Sequence, residues 1–586
     1  MDIATELERK KTRRRTRFLA LIVAFWVLAI LVRLVQIQAF GHAAAKARVT
    51  TQSREELPIR ADRGTIYDRK GRILAQSIPS KSVFVQPSPG GPKEAHFAPV
   101  RAAAPILGLD RDAVAQKLRQ IEMGKNFVYL KREVEPGTVR RLTEAKIQGL
   151  QLQEEPRRYY PHGTLAAHVL GGVDTDERGL AGIELRYNGV LGGREGRRLV
   201  LRDALRREYN VETMAEPKPG KDISLTLDLN IQYFAQSELE KAMALHEAEW
   251  GTVIVGVPAT GEILAMAGAP VYNPNAFASA PAERTIDRAV RTQFDPGSTF
   301  KIVTAAAALE HGRVGLSETF NCAADAITVP GGPIRDHKAF GVLSFADVFT
   351  HSSNIGTIQV ARRLGPDLFF RMVQAFRFGL RTGIDLPAEA AGLVHPPNEW
   401  SRRSLDAMSV GYEVSVTAIQ LLQAMNCIAN RGELVPPRLL KSIDGRPVAD
   451  GSAAERTRVL SATAAETLVG MLERVVLDGT GQPACPPGYT AAGKTGTAQL
   501  VDRDTRGYTS EKHLAAFAGF APAEAPVLSI VVVICDPKKQ DLYYGGLVAA
   551  PIFREVATRA LRYLQVYPRP RPATILAARN REGGRP

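Results

Sequence analysis

A basic tail running straight into an apolar stretch restricts this chain more than any other feature. Residues 1–17 carry Arg9, Lys10, Lys11, Arg13, Arg14, Arg15 and Arg17. Phe18 through Val32 is then uninterrupted apolar sequence, and the stretch to Ile37 is broken only by Arg33 and Gln36. As a helix, those 20 residues just cross a bilayer, with Arg33 snorkelling toward one interface. Charge asymmetry puts residues 1–17 in the cytoplasm and everything beyond about residue 40 outside. The competing reading is a cleaved signal peptide, with Ala43-Ala44-Ala45 as the processing site. No later apolar run is long enough to span; Val527–Cys535 is strand-length.

A chain of 586 residues exceeds what one core supports, so at least two folded units are expected outside the membrane. The formal charge, 76 − 61 = +15, fits an anionic lipid surface or an acidic polymer as well as nucleic acid. With no zinc-finger spacing, RNA-binding aromatic pattern or basic heptad region, no nucleic-acid partner is expected. Cys322, Cys427, Cys485 and Cys535 lie too far apart in sequence to read as a metal site. Cys427 and Cys535 sit in apolar runs and read as small buried hydrophobes; the sequence does not say whether Cys322 and Cys485 pair.

Residues 50–216 read as a mixed pedestal module, with a strand at Ser82–Val85 and helices over 111–121 and 139–147. A Pro- and Gly-rich junction around 213–221 leads into a domain over 221–567. Here Ile223–Leu227 reads as a strand and 229–245 as a helix. Thr252–Val257 and Glu262–Ala267 form a hairpin signal around Pro258-Ala259-Thr260-Gly261. Ile302–Leu309 reads as a buried Ala-rich helix stopped before Gly312. Thr417 and Ser461 cap two further helices, to about Ala429 and Val476. Three strands, 493–500, 513–519 and 527–535, precede a closing helix over 551–565. Strands at both ends with helices between them predict an α/β (α+β) domain, one central sheet covered by helices, whose strand order periodicity does not reveal. Residues 568–586, rich in Pro, Arg and Gly, read as a loose tail.

Three short motifs carry chemistry. Ser298 follows Pro296-Gly297 at a helix start, with Lys301 one turn on. Serine is a poor nucleophile until a base takes its proton, and a partly desolvated lysine can do so. The bland alternative makes Ser298 a helix cap. Ser352-Ser353-Asn354 and Lys494-Thr495-Gly496-Thr497 are the second and third, each unremarkable alone as a cap and a strand edge. Together, in this order and context, they match the motifs of the penicillin-recognising serine enzymes.

The longer text resembles class B penicillin-binding proteins, most closely the division-specific peptidoglycan D,D-transpeptidases. The resemblance covers nearly the whole chain. It includes Arg63-Gly64-Thr65-Ile66-Tyr67-Asp68-Arg69, Gly179–Glu184, Tyr272-Asn273-Pro274-Asn275, Ser409-Val410-Gly411-Tyr412 and Tyr544-Gly545-Gly546. Asp287 before Arg288 departs from a pattern that often has Asn. The resemblance implies Ser298 as nucleophile, Lys301 as its base and Ser352 as proton carrier toward the leaving amine. Asn354 would position substrate, Lys494 supply positive potential, and Thr495 and Thr497, flanking Gly496, hold the substrate carboxylate. Stem peptides are the implied substrate and β-lactams the inhibitors. A polytopic membrane glycosyltransferase and other division proteins are the implied partners, and no cofactor or metal is needed. The rival assignments are an elongation-specific relative, a β-lactamase or D-Ala carboxypeptidase, and a catalytically idle subunit of a wall-synthesis complex.

Overall fold

A computed structural model describes residues 3–40, 54–87, 92–202, 208–330, 332–448, 456–501, 508–538 and 543–568. The chain gathers into two compact units, residues 1–62 with 193–219, and residues 63–192 with 220–586. Strand Ile223–Leu225 pairs with Ile66–Tyr67 on one side and Leu440–Ile443 on the other, so one sheet draws on both segments.

In the first unit a helix runs unbroken over Ile3–Val35 and ends in a π turn at Gln36–Phe40. The basic segment is therefore helical and continuous with the apolar run, as its Arg-, Lys- and Leu-rich composition allows. Residues 9–38 are long and apolar enough to cross a membrane, and their large side chains stand exposed, Phe25 at 70% and Trp26 at 65%. A small antiparallel sheet of Arg54–Ile59, Gly196–Arg202 and Glu208–Ala215 completes what is described of this unit. The candidate cleavage site at 43–45 and the tail beyond 568 lie outside the described residues.

The second unit contains the pedestal-like layer. Strand Ile73–Val85 is flanked by Val128–Val134 and Leu150–Tyr159. Helices Lys93–Leu107, Arg111–Glu122 and Pro136–Glu144 cover it, burying Val83, Val85, Val128 and Leu130 against Phe97, Val100, Leu107 and Leu142. The third helix begins three residues earlier than periodicity indicates, because Pro136 suits the first helical position.

The rest is built on a five-stranded antiparallel sheet in the order Ile263–Ala269, Trp250–Gly256, Leu528–Cys535, Tyr508–Ala521, Ala492–Val501. The hairpin and the three late strands are thus one sheet. Val253, Val255, Phe517, Ile530 and Val532 face helices Leu229–His246 and Gly545–Tyr563. Ile254, Ala516, Ala518, Val531 and Val533 face the opposite core with helices Lys301–Glu310, Ala418–Ala429 and Ala462–Leu477. Both faces being covered explains why the central strands read as continuous apolar runs rather than alternating ones. Thr417 closes a capping box with Gln420, and Ser461 caps its helix through Ala464. The closing helix starts at Gly545 rather than 551. Its Gly-Gly start crosses close over the sheet, where a Cβ on Gly545 would lie 2.3 Å from the carbonyl oxygens of Gly496 and Ala516. No disulfide joins the four cysteines, all of which are described; Cys322, Cys427 and Cys535 are buried and Cys485 is exposed.

Candidate active site

The three motifs meet at the edge of the central sheet. Gly297–Phe300 forms a tight 3-10 turn before helix Lys301–Glu310. Ser298 lies in that turn, half-buried, and caps nothing; the residue before the α-helix is Phe300, with no side-chain cap bond. No hydrogen bond engages the Ser298 hydroxyl among the described residues. The turn sits directly on the Lys-Thr-Gly strand. Gly297 has φ +53°, and a Cβ there would lie 2.5 Å from the Thr497 carbonyl oxygen. From the other side, a Cβ on Gly496 would meet Thr299 Cγ2 at 2.7 Å and the Pro296 oxygen at 2.9 Å. Two glycines thus allow the backbone contact that brings Ser298 beside Thr497. The Ser409–Tyr412 segment closes the same turn: Gly297 N–H donates to the Gly411 carbonyl at 3.1 Å.

Lys301 is fully buried, and its ammonium donates to the Ser352 carbonyl at 2.6 Å, Asn354 Oδ1 at 2.7 Å and Ser352 Oγ at 3.2 Å. Lys494, also fully buried, reaches the same hydroxyl at 2.9 Å. Ser352 Oγ therefore stands between two amines, with both lone pairs engaged when both are charged. Burial pushes the Lys301 ammonium down to about 7, against an opposing pull from Asp336. Burial, and then Lys301 itself, holds Lys494 well below the ordinary lysine range. Desolvation and like-charge proximity act together here, so a neutral amine is available near neutral pH.

Ser353 caps helix Asn354–Ala375 by accepting from Gly356 N–H at 3.0 Å. Asp336, which sequence reading missed, locks this corner. Its carboxylate accepts from Ser353 Oγ at 2.6 Å, from Ile355 N–H at 3.1 Å and from Asn354 N–H. Asn354 Nδ2 in turn donates to the Arg335 carbonyl at 2.7 Å. An anion at a helix N-terminus satisfies donors that have no partner within the helix. Nothing local marks an aspartate at position 336 for this role, 18 residues before Asn354. A second missed residue is Thr480, whose hydroxyl lies 2.7 Å from that of Thr495. Thr497 Oγ1 accepts from Gly545 N–H at 3.1 Å, at the start of the closing helix.

Ser352, Asn354, Lys494 and Thr495 are thus joined to Lys301 by one hydrogen-bonded network, while Ser298, Gly496 and Thr497 meet through backbone packing. A buried amine poised near neutrality, one turn along from a serine in a glycine-shaped turn at a sheet edge, is an arrangement suited to serine acyl transfer. Residues 251–558 match the penicillin binding protein transpeptidase domain and residues 58–225 the penicillin-binding protein dimerisation domain. The chain belongs to the penicillin-binding protein transpeptidases and is an enzyme of that class.

Among its relatives, PbpC of Pseudomonas aeruginosa, described as a probable peptidoglycan D,D-transpeptidase, is 34% identical over 95% of this chain and 96% of its own. The peptidoglycan D,D-transpeptidase FtsI of Escherichia coli is 33% identical over 87% and 85% respectively. Penicillin binding protein 3 of Mycobacterium tuberculosis, solved with aztreonam, superposes with a TM-score of 0.67 at 29% identity, covering 88% of this chain and 98% of that one.

Proposed function

We propose that this transpeptidase cross-links peptidoglycan stem peptides in septal wall synthesis, with Ser298 as the acylated residue. The observation that carries the reading is the pair of buried lysines on Ser352 Oγ beside the Ser298 turn. Ser298 Oγ attacks the carbonyl of the penultimate D-Ala while neutral Lys301 takes its proton. Ser352 relays a proton to the departing D-Ala amine, and Asn354 holds Lys301 and the peptide in place. Lys494 keeps the cleft positive, and Thr495 and Thr497 bind the terminal carboxylate. The N–H groups of Ser298 and Thr497 meet the charge that develops on the tetrahedral oxygen. An amine from a neighbouring stem then attacks the acyl-serine, forming the cross-link and freeing Ser298.

A β-lactam presents a carboxylate and a strained amide in the same arrangement and acylates Ser298; the aztreonam complex of the mycobacterial relative supports this. The septal assignment is supported by the resemblance of the Arg63–Arg69 and Gly179–Glu184 text to the division-specific type. An elongation role is the alternative, and lateral rather than mid-cell localisation of a tagged chain would favour it. The N-terminal helix anchors the chain once in the cytoplasmic membrane, with residues 50–216 as pedestal and 221–567 as the outward-facing transpeptidase domain. Glycan strands come from a polytopic glycosyltransferase bound through the anchor and pedestal.

The deciding experiment is intact-protein and peptide mass spectrometry after penicillin treatment. One adduct is expected, on Ser298, and Ser298→Ala should remove it while the domain stays folded. An adduct on another serine, or undiminished labelling of the folded variant, would sink the mechanism.

A further inference from the structure

The cations on the loop before helix Asn354–Ala375 take no part in the chemistry above. Ile334–Arg335 pairs with Ala326–Ile327 in a short hairpin, and the chain then passes through Asp336 to His337 and Lys338. This backbone is tied to the second catalytic motif, through the Arg335 carbonyl to Asn354 Nδ2 and through the Asp336 carboxylate to Ser353 and Ile355. The one negative charge of the segment is thus committed to the helix start.

Arg335, His337 and Lys338 are exposed. Arginines nearby in the fold have carboxylate partners: Arg362 with Asp406, Arg363 with Glu318, Arg403 with Glu413 and Arg474 with Asp347. Arg335 and Lys338 have none among the described residues. Asp325, just before the facing strand, and Asp336 both leave Arg335 without an ion pair. The Lys338 ammonium lies 5.2 Å from the Phe340 ring centre, and that ring is held between His337 at 5.4 Å and His351 at 5.8 Å. His337 is held below the usual imidazole range chiefly by desolvation, with Lys301 and Lys338 adding to it and Asp336 opposing, so it adds no charge at neutral pH. Two cations without carboxylate partners, three residues apart on a segment fastened to the second motif, leave positive charge there uncompensated.

We propose that Arg335 and Lys338 form an anion subsite beside the catalytic centre, which takes a carboxylate of the stem peptide other than its C-terminal one. The subsite rests on the peptidoglycan reading above. That carboxylate belongs either to the acyl-donor stem or to the acceptor stem, and two arms separate these sources.

In the donor arm, synthetic D-Ala-D-Ala pentapeptides carrying a free or amidated side-chain carboxylate at the third residue compete with fluorescent penicillin for the full chain in detergent. In the acceptor arm, the same acid or amide sits on an amine-bearing acceptor, and decay of the Ser298 acyl-enzyme formed from a thioester substrate is followed. In at least one arm the acid should outperform the amide by roughly three- to tenfold, an effect the size of one or two exposed charged hydrogen bonds. The preference should weaken with salt and fall to about one in the Arg335→Gln/Lys338→Gln protein. Because it is a ratio measured within one protein, partial loss of activity in the variant does not obscure it. A ratio near one in both arms for the wild type, or a preference that survives in the double variant, overturns the subsite. Failure of the wild type to be acylated by penicillin at all overturns instead the function on which it rests.

Discussion

Two amines converge on the Ser352 hydroxyl, and two ammonium ions buried that close together repel each other strongly. Burial brings Lys301 down to about 7, and burial together with the charge of Lys301 holds Lys494 well below the ordinary lysine range, so a neutral Lys301 is accessible near neutral pH. In the proposed mechanism only neutral Lys301 accepts the Ser298 proton, so the second-order rate of acylation by penicillin should climb about tenfold per pH unit below 7 and level off above it. Asp336 opposes the shift by favouring the charged amine. In Asp336→Asn the inflection should therefore move to lower pH, with a stability loss of about 0.5–2 kcal/mol from the weakened helix cap. A pH profile of Ser298 acylation with its inflection unmoved or raised would contradict this role. Ser298, Lys301, Ser352, Asn354 and Lys494 were legible as candidates because each sits in a short motif whose spacing has a mechanical meaning. Asp336 and Thr480 were not, because each acts on a residue at least 15 positions away, through a contact that exists only after folding.

At the level of elements, the decisive contact joins the serine turn to the edge strand Ala492–Val501. In Gly297→Ala the new Cβ would press on the Thr497 carbonyl while holding an unfavourable positive φ. The turn must then lift from the strand, separating Ser298 from the N–H groups proposed to bind the oxyanion. Penicillin acylation is expected to slow on the order of a hundredfold while circular dichroism stays near wild type. Acylation within threefold of wild type would show that this close approach is dispensable. Helix starts at Thr417 and Ser461 were readable because capping is local chemistry. The early start of the closing helix was not, since Tyr544-Gly545-Gly546 reads as a loop until the sheet beneath requires residues without a Cβ.

Across the whole molecule, the membrane-proximal text that resembles the family is explained by a buried charge cluster. Glu184 accepts from Arg63 Nε and Arg158 Nε, each at 2.7 Å, with all three side chains almost wholly buried. Arg63 also reaches the Glu177 and Glu184 carbonyls, and Arg158 the Gly64 carbonyl. Glu184→Gln leaves two guanidinium groups without their shared counterion and should cost about 3–5 kcal/mol in urea unfolding. A loss under 1 kcal/mol would mean that the arginines find other acceptors. The anchor makes a separate prediction: a reporter fused after residue 45 should be active only outside the cytoplasm, and the chain should stay with membranes in high salt. Recovery of soluble protein beginning near residue 46 would establish cleavage instead.

The sequence alone determined the apolar N-terminal helix, the caps at Thr417 and Ser461, the strand segments of the central sheet and the identity of the three motifs. These follow from neighbours a few residues apart, where periodicity, side-chain capping and turn geometry operate. Tertiary structure alone decided the order of the five strands, the sharing of one sheet between residues 66–67, 223–225 and 440–443, and the convergence of Lys301 and Lys494 on Ser352. It also decided that Asp336 holds the second motif in place. Those outcomes depend on which distant surfaces bury each other, and burial is what draws the two lysines below their ordinary range.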